Sequence, residues 1–261
     1  MKIRPQYVKQ SNPLQLSVIQ FTDTHIHSGS KTLLHGIDSS ETLKSIVRHI
    51  NELETPDVIL LTGDLVEIPD EESYLKLRAI LTELKAPVFC LPGNHDCPAL
   101  MYRLMNYENI KTDKLIRGED WQLILLNSMM PGEMYGYLDK AETVFLEKAI
   151  QDFNDGYSLV ALHHHPVKVN SPWMDTMVLE NADNFFQILE SGHNVKIVIC
   201  GHIHNELELC INDILILGTP STNVQYILDS QQPGYNTKLP AYRKITLGAS
   251  GLIDSNITWI G

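Results

Sequence analysis

Five times along this chain a short apolar run rich in Val, Ile and Leu breaks off at a cluster of Asp, Asn or His. Leu16 to Phe21 leads into Asp23-Thr24-His25, Val58 to Leu61 into Gly63-Asp64, and Val88 to Leu91 into Gly93-Asn94-His95-Asp96. Leu159 to Leu162 runs into His163-His164-His165-Pro166, and Val195 to Cys200 into Gly201-His202-Ile203-His204. Short apolar runs bounded by turn residues read as buried strands. Between them lie segments of helical period: Leu43, Ile46, Val47, Ile50 and Leu53 after Ser40 as cap, Leu77, Ile80, Leu81 and Leu84 before Pro87, and patterns over Thr143 to Phe153 and Phe185 to Leu189. With a further run at Leu123 to Leu126, the alternation predicts βαβ units. In such sheets the carboxyl ends of the strands share one edge, so clusters remote in sequence converge there. Beyond residue 205 the style changes to a hairpin, Leu207 to Ile211 and Ile214 to Leu217 about Asn212-Asp213, and to antiparallel strands from Tyr242 to Ile260.

Taken singly, the clusters have ordinary readings. Asp23 suits a helix cap, Gly63-Asp64 a turn, and Asn94 and Asp96 a loop closed by side-chain hydrogen bonds. The paired imidazoles of His202 and His204 are the most specific piece, and the recurrence of such clusters at successive strand ends argues for one shared site. Asp, Asn and His together offer hard oxygen and borderline nitrogen donors, which suit Fe, Mn or Zn better than an all-oxygen or all-thiolate site suits them. The candidates are too many for one ion and fit two if a carboxylate bridges.

Composition narrows the partners. A chain of 261 residues with 43% hydrophobic and 20% charged residues fits one soluble domain, with a core from about residue 16 to 261 and residues 1–15 as an N-terminal extension. A net charge of −12 without a Lys/Arg-rich run argues against nucleic acid and for a small phosphorylated ligand met by metal ions. Cys90, Cys97, Cys200 and Cys210 lack paired C-x-x-C spacing and read as buried thiols. The N-terminus lacks the apolar core of a signal peptide, and no apolar stretch approaches the roughly 20 residues of a membrane span. A cytoplasmic setting is expected, as monomer or homodimer.

The five blocks resemble the signature of the calcineurin-like metallophosphoesterases: D-x-H, G-D, G-N-H-[DE], H-x-P and G-H-x-H, in this order. Within that superfamily the chain is most similar to the class III cyclic-nucleotide phosphodiesterases of the bacterial CpdA type, in residues 21–25, 91–96, 163–166 and 200–204 and in Gly218-Thr219-Pro220-Ser221-Thr222. The resemblance implies a four-layer α/β/β/α sandwich, two mixed sheets face to face with helices outside. It implies two metal ions, one held by Asp23, His25 and His204, the other by Asn94, His164 and His202, with Asp64 bridging. The triplet leaves a choice of register; one residue between ligand and proline selects His164 over His163. His95 is implied to act on the substrate phosphate or leaving oxygen, with Asp96 as orienting partner, and His25, Asp64, Asn94, His95, His164 and His204 to surround the substrate. The implied reaction is hydrolysis of 3′,5′-cyclic AMP to 5′-AMP by a metal-bridging hydroxide, two cations about 3.5–4 Å apart serving to activate water and to neutralise the phosphoryl oxygens. Other phosphodiesters, such as 2′,3′-cyclic nucleotides or glycerophosphodiesters, remain alternatives, as does a non-catalytic scaffold. Met129, Met130, Tyr135, Tyr137 and Trp173 offer apolar surface for a base. His27, His35, His49 and His193 read as structural or surface residues.

Overall fold

The computed structural model describes residues 4–29, 33–192 and 194–261, so the reading of His193 lies outside the described residues. In chain order the elements are β1 (Gln6–Tyr7), β2 (Gln15–Phe21), α1 (Ser39–Leu53), β3 (Val58–Thr62), α2 (Glu71–Leu81), β4 (Val88–Leu91), α3 (Pro98–Leu104), β5 (Ile110–Lys111), β6 (Leu115–Arg117) and β7 (Trp121–Leu125). There follow α4 (Lys140–Gln151), β8 (Tyr157–Leu162), a 3-10 turn (Met174–Thr176), α5 (Ala182–Ser191), β9 (Val195–Cys200), β10 (Leu207–Ile211), β11 (Ile214–Gly218), β12 (Gln225–Tyr226), β13 (Tyr235–Asn236), β14 (Ala241–Gly248) and β15 (Ile253–Trp259).

One sheet has the order β1-β6-β7-β8-β9-β11-β10 and the other β15-β14-β2-β3-β4-β5, with β12 and β13 as a separate pair. Each large sheet has a parallel centre and antiparallel pairings at one or both sides, so both are mixed. Three apolar layers separate four structural ones. Between the sheets pack Val18, Leu60 and Leu91 from one and Leu123, Leu159, Ile199 and Leu217 from the other. Outside the first, Leu43, Ile46, Leu77 and Met101 bring α1, α2 and α3 onto Ile19, Ile59 and Cys90; outside the second, Leu146, Ile150 and Phe185 bring α4 and α5 onto Ile124, Val160 and Val198. The central strands β3, β4 and β7 are buried along their whole length, as strands covered on both faces must be, hence their unbroken apolar runs. Each such Leu or Ile contributes about 1.5–3 kcal/mol of burial.

Local chemistry explains two departures from the sequence reading. Helix α1 is capped by Asp38, whose carboxylate accepts from the Ser40 and Glu41 amides, so Ser40 lies inside the first turn rather than at the cap. Helix α3 is too short to show a period; it starts on Pro98 and buries only Met101 and Leu104. The β10–β11 hairpin has the two-residue turn read from Asn212-Asp213, both residues left-handed at φ 49° and 64°. Among the described residues no helix is long and apolar enough to cross a membrane.

A polar strut ties the sheets together at their carboxyl ends. Fully buried Arg243 of β14 donates to the Gly218 carbonyl (2.8 Å), the Thr219 hydroxyl (3.1 Å) and the Ser255 hydroxyl (2.7 Å). The Thr219 hydroxyl donates in turn to Gln20 Oε1 (2.6 Å), and Gln20 Nε2 donates to the Thr62 hydroxyl and the Cys200 carbonyl. Buried polar groups are costly when orphaned. Arg243→Met is therefore expected to lower the unfolding free energy by about 3 kcal/mol in urea titrations followed by circular dichroism, because it strands a buried carbonyl and two hydroxyls.

Candidate active site

The five clusters leave the carboxyl ends of β2, β3 and β4 in one sheet and β8 and β9 in the other, and they meet where those edges face each other. Their backbone is unusual. Asp23 (φ 55°), His25 (43°), Asp64 (49°), His202 (68°) and His204 (46°) all adopt the left-handed region that side chains disfavour. Such strain, of order 1–3 kcal/mol per residue, persists only where neighbouring contacts over-determine it. Here the loops after β2 and β3 are laced by Asp23 N to Gly63 O, His25 N to Asp64 O and Ile26 N to Leu65 O. Gly63, at φ 94°, must also lack a side chain, since a Cβ there would enter the His163 ring.

The side chains form two groups that share one carboxylate. In the first, His204 Nε2 lies 3.2 Å from Asp23 Oδ1 and 3.3 Å from His25 Nε2, which is 3.7 Å from Asp64 Oδ2. In the second, His163 Nε2 lies 3.4 Å from Asp64 Oδ2, 3.1 Å from Asn94 Oδ1 and 3.2 Å from His202 Nδ1. The carboxylates are anchored from behind, Asp64 Oδ1 accepting from the His95 amide (2.9 Å) and Asp23 from the His202 amide (3.1 Å).

Hydrogen-bond logic tests whether this set fits metal ions. His25 Nδ1 donates to Glu67 (2.7 Å), His204 Nδ1 to the Val224 carbonyl (2.7 Å) and His163 Nδ1 to the Thr62 carbonyl (2.9 Å). Those outer bonds fix the tautomers and leave the three Nε2 atoms as bare lone pairs aimed at carboxylates, at an amide oxygen and at each other. Lone pairs that converge in this way call for positive charge between them, and the donor set fits metal ions beside Asp64. With no cation, a proton takes that place. Burial alone would depress His163, but the Asp64 carboxylate, followed by Asp23, outweighs it and raises its pKa to about 9. Asp64 is held well below the usual carboxylate range, because its charged neighbours, His163 first, overcome the upward push of burial.

Within the histidine triplet His163 and His164 both group with His202, and they differ in what else they meet. It is His163 whose ring nitrogen meets Asp64 and Asn94. His164 bonds through Nδ1 to the Ser128 hydroxyl (2.8 Å), and His165 stacks on His202 with ring centres 5.6 Å apart. The Leu162–His163 step ends the strand pleat facing β3, which turns His163 between the sheets and His164 toward Ser128. Asp96 also differs from expectation. Its carboxylate accepts from the Gly93 amide (2.8 Å), the Leu65 amide (3.1 Å) and the Tyr74 hydroxyl (2.9 Å), and so fixes the 93–96 turn. The His95 ring instead turns its Nδ1 to the Glu67 carbonyl (3.2 Å) and carboxylate (3.6 Å). Glu67 thus holds His25 and His95 together, a role missed in the sequence, where a lone Glu three residues past Asp64 carries no signal of its own.

A cavity of about 260 Å³ opens over these groups. His25, Asp64, Asn94, His95, His202 and His204 line one part and Met134, Trp173, Met177, Tyr226, Tyr235 and His35 another. Of the residues expected to give apolar surface, Trp173 is here; Met129, Met130 and Tyr137 line a separate cavity beside Pro98, and Tyr135 borders neither. His35, expected to be a structural or surface residue, lines the cavity and stacks on Tyr235.

Comparison with known proteins gives a consistent picture. Residues 16–206 match the family profile described as calcineurin-like phosphoesterase. The chain is 34% identical over 239 residues to a 3′,5′-cyclic-nucleotide phosphodiesterase of Nostoc sp., covering 91% of this chain and 90% of that one. It is 31% identical over 245 residues to the 3′,5′-cyclic adenosine monophosphate phosphodiesterase CpdA of Escherichia coli K12, covering 93% and 89%. Among solved structures, a dimetal phosphatase from Danio rerio superposes with a TM-score of 0.61 at 12% identity, covering 94% of this chain and 99% of that one, which shows a shared fold.

The electrostatics generate a proton count. The raised pKa of His163 stabilises the metal-free protein fully below 6.5 and is lost as pH rises toward about 9; Asp64, depressed, stabilises it down to its own low pKa. A divalent cation binding at pH 7.5 must displace the His163 proton. Calorimetric titration of Mn²⁺ in two buffers of different ionisation heat is expected to show release of about one proton per chain, lost in His163→Gln, while the metal-free protein loses stability between pH 6.5 and 9.

Proposed function

The chain belongs to the calcineurin-like phosphoesterase family, and from that membership we propose that it is a phosphodiesterase that opens 3′,5′-cyclic AMP to 5′-AMP at a pair of metal ions. The observation that carries the reading is the convergence of bare lone pairs on either side of Asp64 Oδ2, in a chain similar over 91% and 93% of its length to cyclic-nucleotide phosphodiesterases. Asp23, His25, Asp64 and His204 hold one ion; Asp64, Asn94, His163 and His202 hold the other. Mixed oxygen and imidazole donors favour Fe, Mn or Zn. Two such ions, when bound, supply an activated water and neutralise the phosphoryl oxygens during in-line displacement.

The chain's own residues do the rest. His95 lines the cavity half-buried, with Nδ1 committed to Glu67, so Nε2 is the nitrogen left for substrate. Burial disfavours its charge, yet the Asp64 and Glu67 carboxylates prevail and raise its pKa. A protonated His95 donates to a phosphoryl oxygen and then to the departing 3′ oxygen, which leaves as a hydroxyl. Asp96 sets the turn that aims it, and Glu67 keeps the imidazole from rotating. The four cysteines are unpaired, Cys90 and Cys200 buried as expected but Cys97 half-buried and Cys210 exposed, and free thiols suit a cytoplasmic enzyme, monomer or homodimer.

With Mn²⁺ added, purified protein should release 5′-AMP from 3′,5′-cyclic AMP faster than it hydrolyses 2′,3′-cyclic AMP or bis(p-nitrophenyl) phosphate, and chelator should abolish all three. Hydrolysis of the generic diester alone would keep the chemistry and reject the substrate. His163→Ala should bind one metal fewer by elemental analysis, whereas His164→Ala should retain both; the opposite pattern would restore the register first read from spacing. His95→Ala should keep its metals and lower kcat about a hundredfold.

A further inference from the structure

The cavity has two unlike parts, and the donor set accounts for only one. We infer that the other, an aromatic wall built by Trp173 and Tyr235 and buttressed by Tyr226, is a stacking subsite for the base of the substrate nucleoside; this rests on the cyclic-nucleotide reading above.

The wall begins at the floor. The Tyr226 ring lies on the His204 imidazole with centres 4.0 Å apart and planes 18° apart, so aromatic surface starts beside a group that holds an ion. Tyr226 and Tyr235 are cross-strand partners of the β12–β13 pair, their rings 5.5 Å apart. Trp173, from the segment after β8, meets Tyr226 edge to face at 5.1 Å and is tethered by its Nε1, which donates to the Ile227 carbonyl (3.4 Å). His35 covers one face of Tyr235 at 3.5 Å. Three segments distant in sequence therefore hold these rings against one another around a cavity rather than within a core. Tyr235 is 40% exposed and Trp173 half-buried, so neither ring is consumed by packing. An aromatic, partly open wall adjoining a few convergent polar groups is the usual make-up of a small-molecule site. A phosphate over the Asp64 donors places the ribose between floor and wall and directs the attached base at the rings. A glycerol-type diester has no planar group to fill that side. Stacking engages the π-face that every base carries, so the wall separates nucleosides from base-free diesters.

The test uses metal-loaded Trp173→Ala and Tyr235→Ala with two substrates, 3′,5′-cyclic AMP and ribose 3′,5′-cyclic phosphate without a base. Each variant should raise KM for cyclic AMP about tenfold, with kcat and metal content retained and KM for the base-free compound unchanged. Trp173→Phe should restore most of the loss. A KM that rises equally for both substrates, or for neither, overturns the subsite. If the wild type hydrolyses no cyclic nucleotide, the proposed function fails on its own, and titration with 5′-AMP then decides the subsite separately. Quenching of indole emission that disappears in Trp173→Phe supports it, and absence of quenching in the wild type rejects it.

Discussion

Everything at the working end of this fold depends on the confinement of acceptor groups with no donor among them. Two carboxylates, an amide oxygen and four imidazole nitrogens face inward, each within 3.7 Å of a neighbour and buried for the most part away from water. Such a set repels itself unless positive charge sits inside it. The raised pKa of His163 is the metal-free protein's answer, a proton where the geometry suits metal cations. The outer hydrogen bonds that His163, His25 and His204 donate to the Thr62 carbonyl, Glu67 carboxylate and Val224 carbonyl make the answer specific, since they dictate which ring nitrogen faces in.

That confinement explains the backbone. Left-handed Asp23, His25, Asp64, His202 and His204 re-aim side chains that a regular strand end would send outward, and the lacing of the β2 and β3 loops holds them there. The strain is tolerable because the scaffold behind it is rigid: apolar layers on both faces of each sheet, and the Arg243–Thr219–Gln20 strut directly beneath the site. Gln20 and Thr62, polar residues within buried strands, belong to that support.

Much of this was legible in the sequence because strand burial and site chemistry leave separate marks. Unbroken apolar runs fixed the central strands, and clusters of Asp, Asn and His at their ends fixed where the site must be. What spacing could not tell is rotation. His163, His164 and His165 are adjacent and equally buried, and only the phase of the β8 pleat against β3 decides which ring enters. Asp96 looked like a partner for His95, yet its carboxylate is taken by three donors, in its own turn, in the loop after β3 and in α2. Glu67 and the aromatic rings of 226 and 235 gave no signal because their meaning lies in contacts across the fold.

The placement of Asp64 between donors from both sheets also orders events in time. Asp23, His25, Asp64 and Asn94 leave the ribosome long before His163, His202 and His204, and the contact of His25 with His204 closes a span of 179 residues. The first half alone brings His25, Asp64 and His95 together, and the remaining donors complete the set only later. β14, which seats Arg243 beside β2, is made later still. Long-range contacts of this kind form late in folding. The full donor set therefore exists only once both sheets are in place, so completing the site and completing the fold are one event.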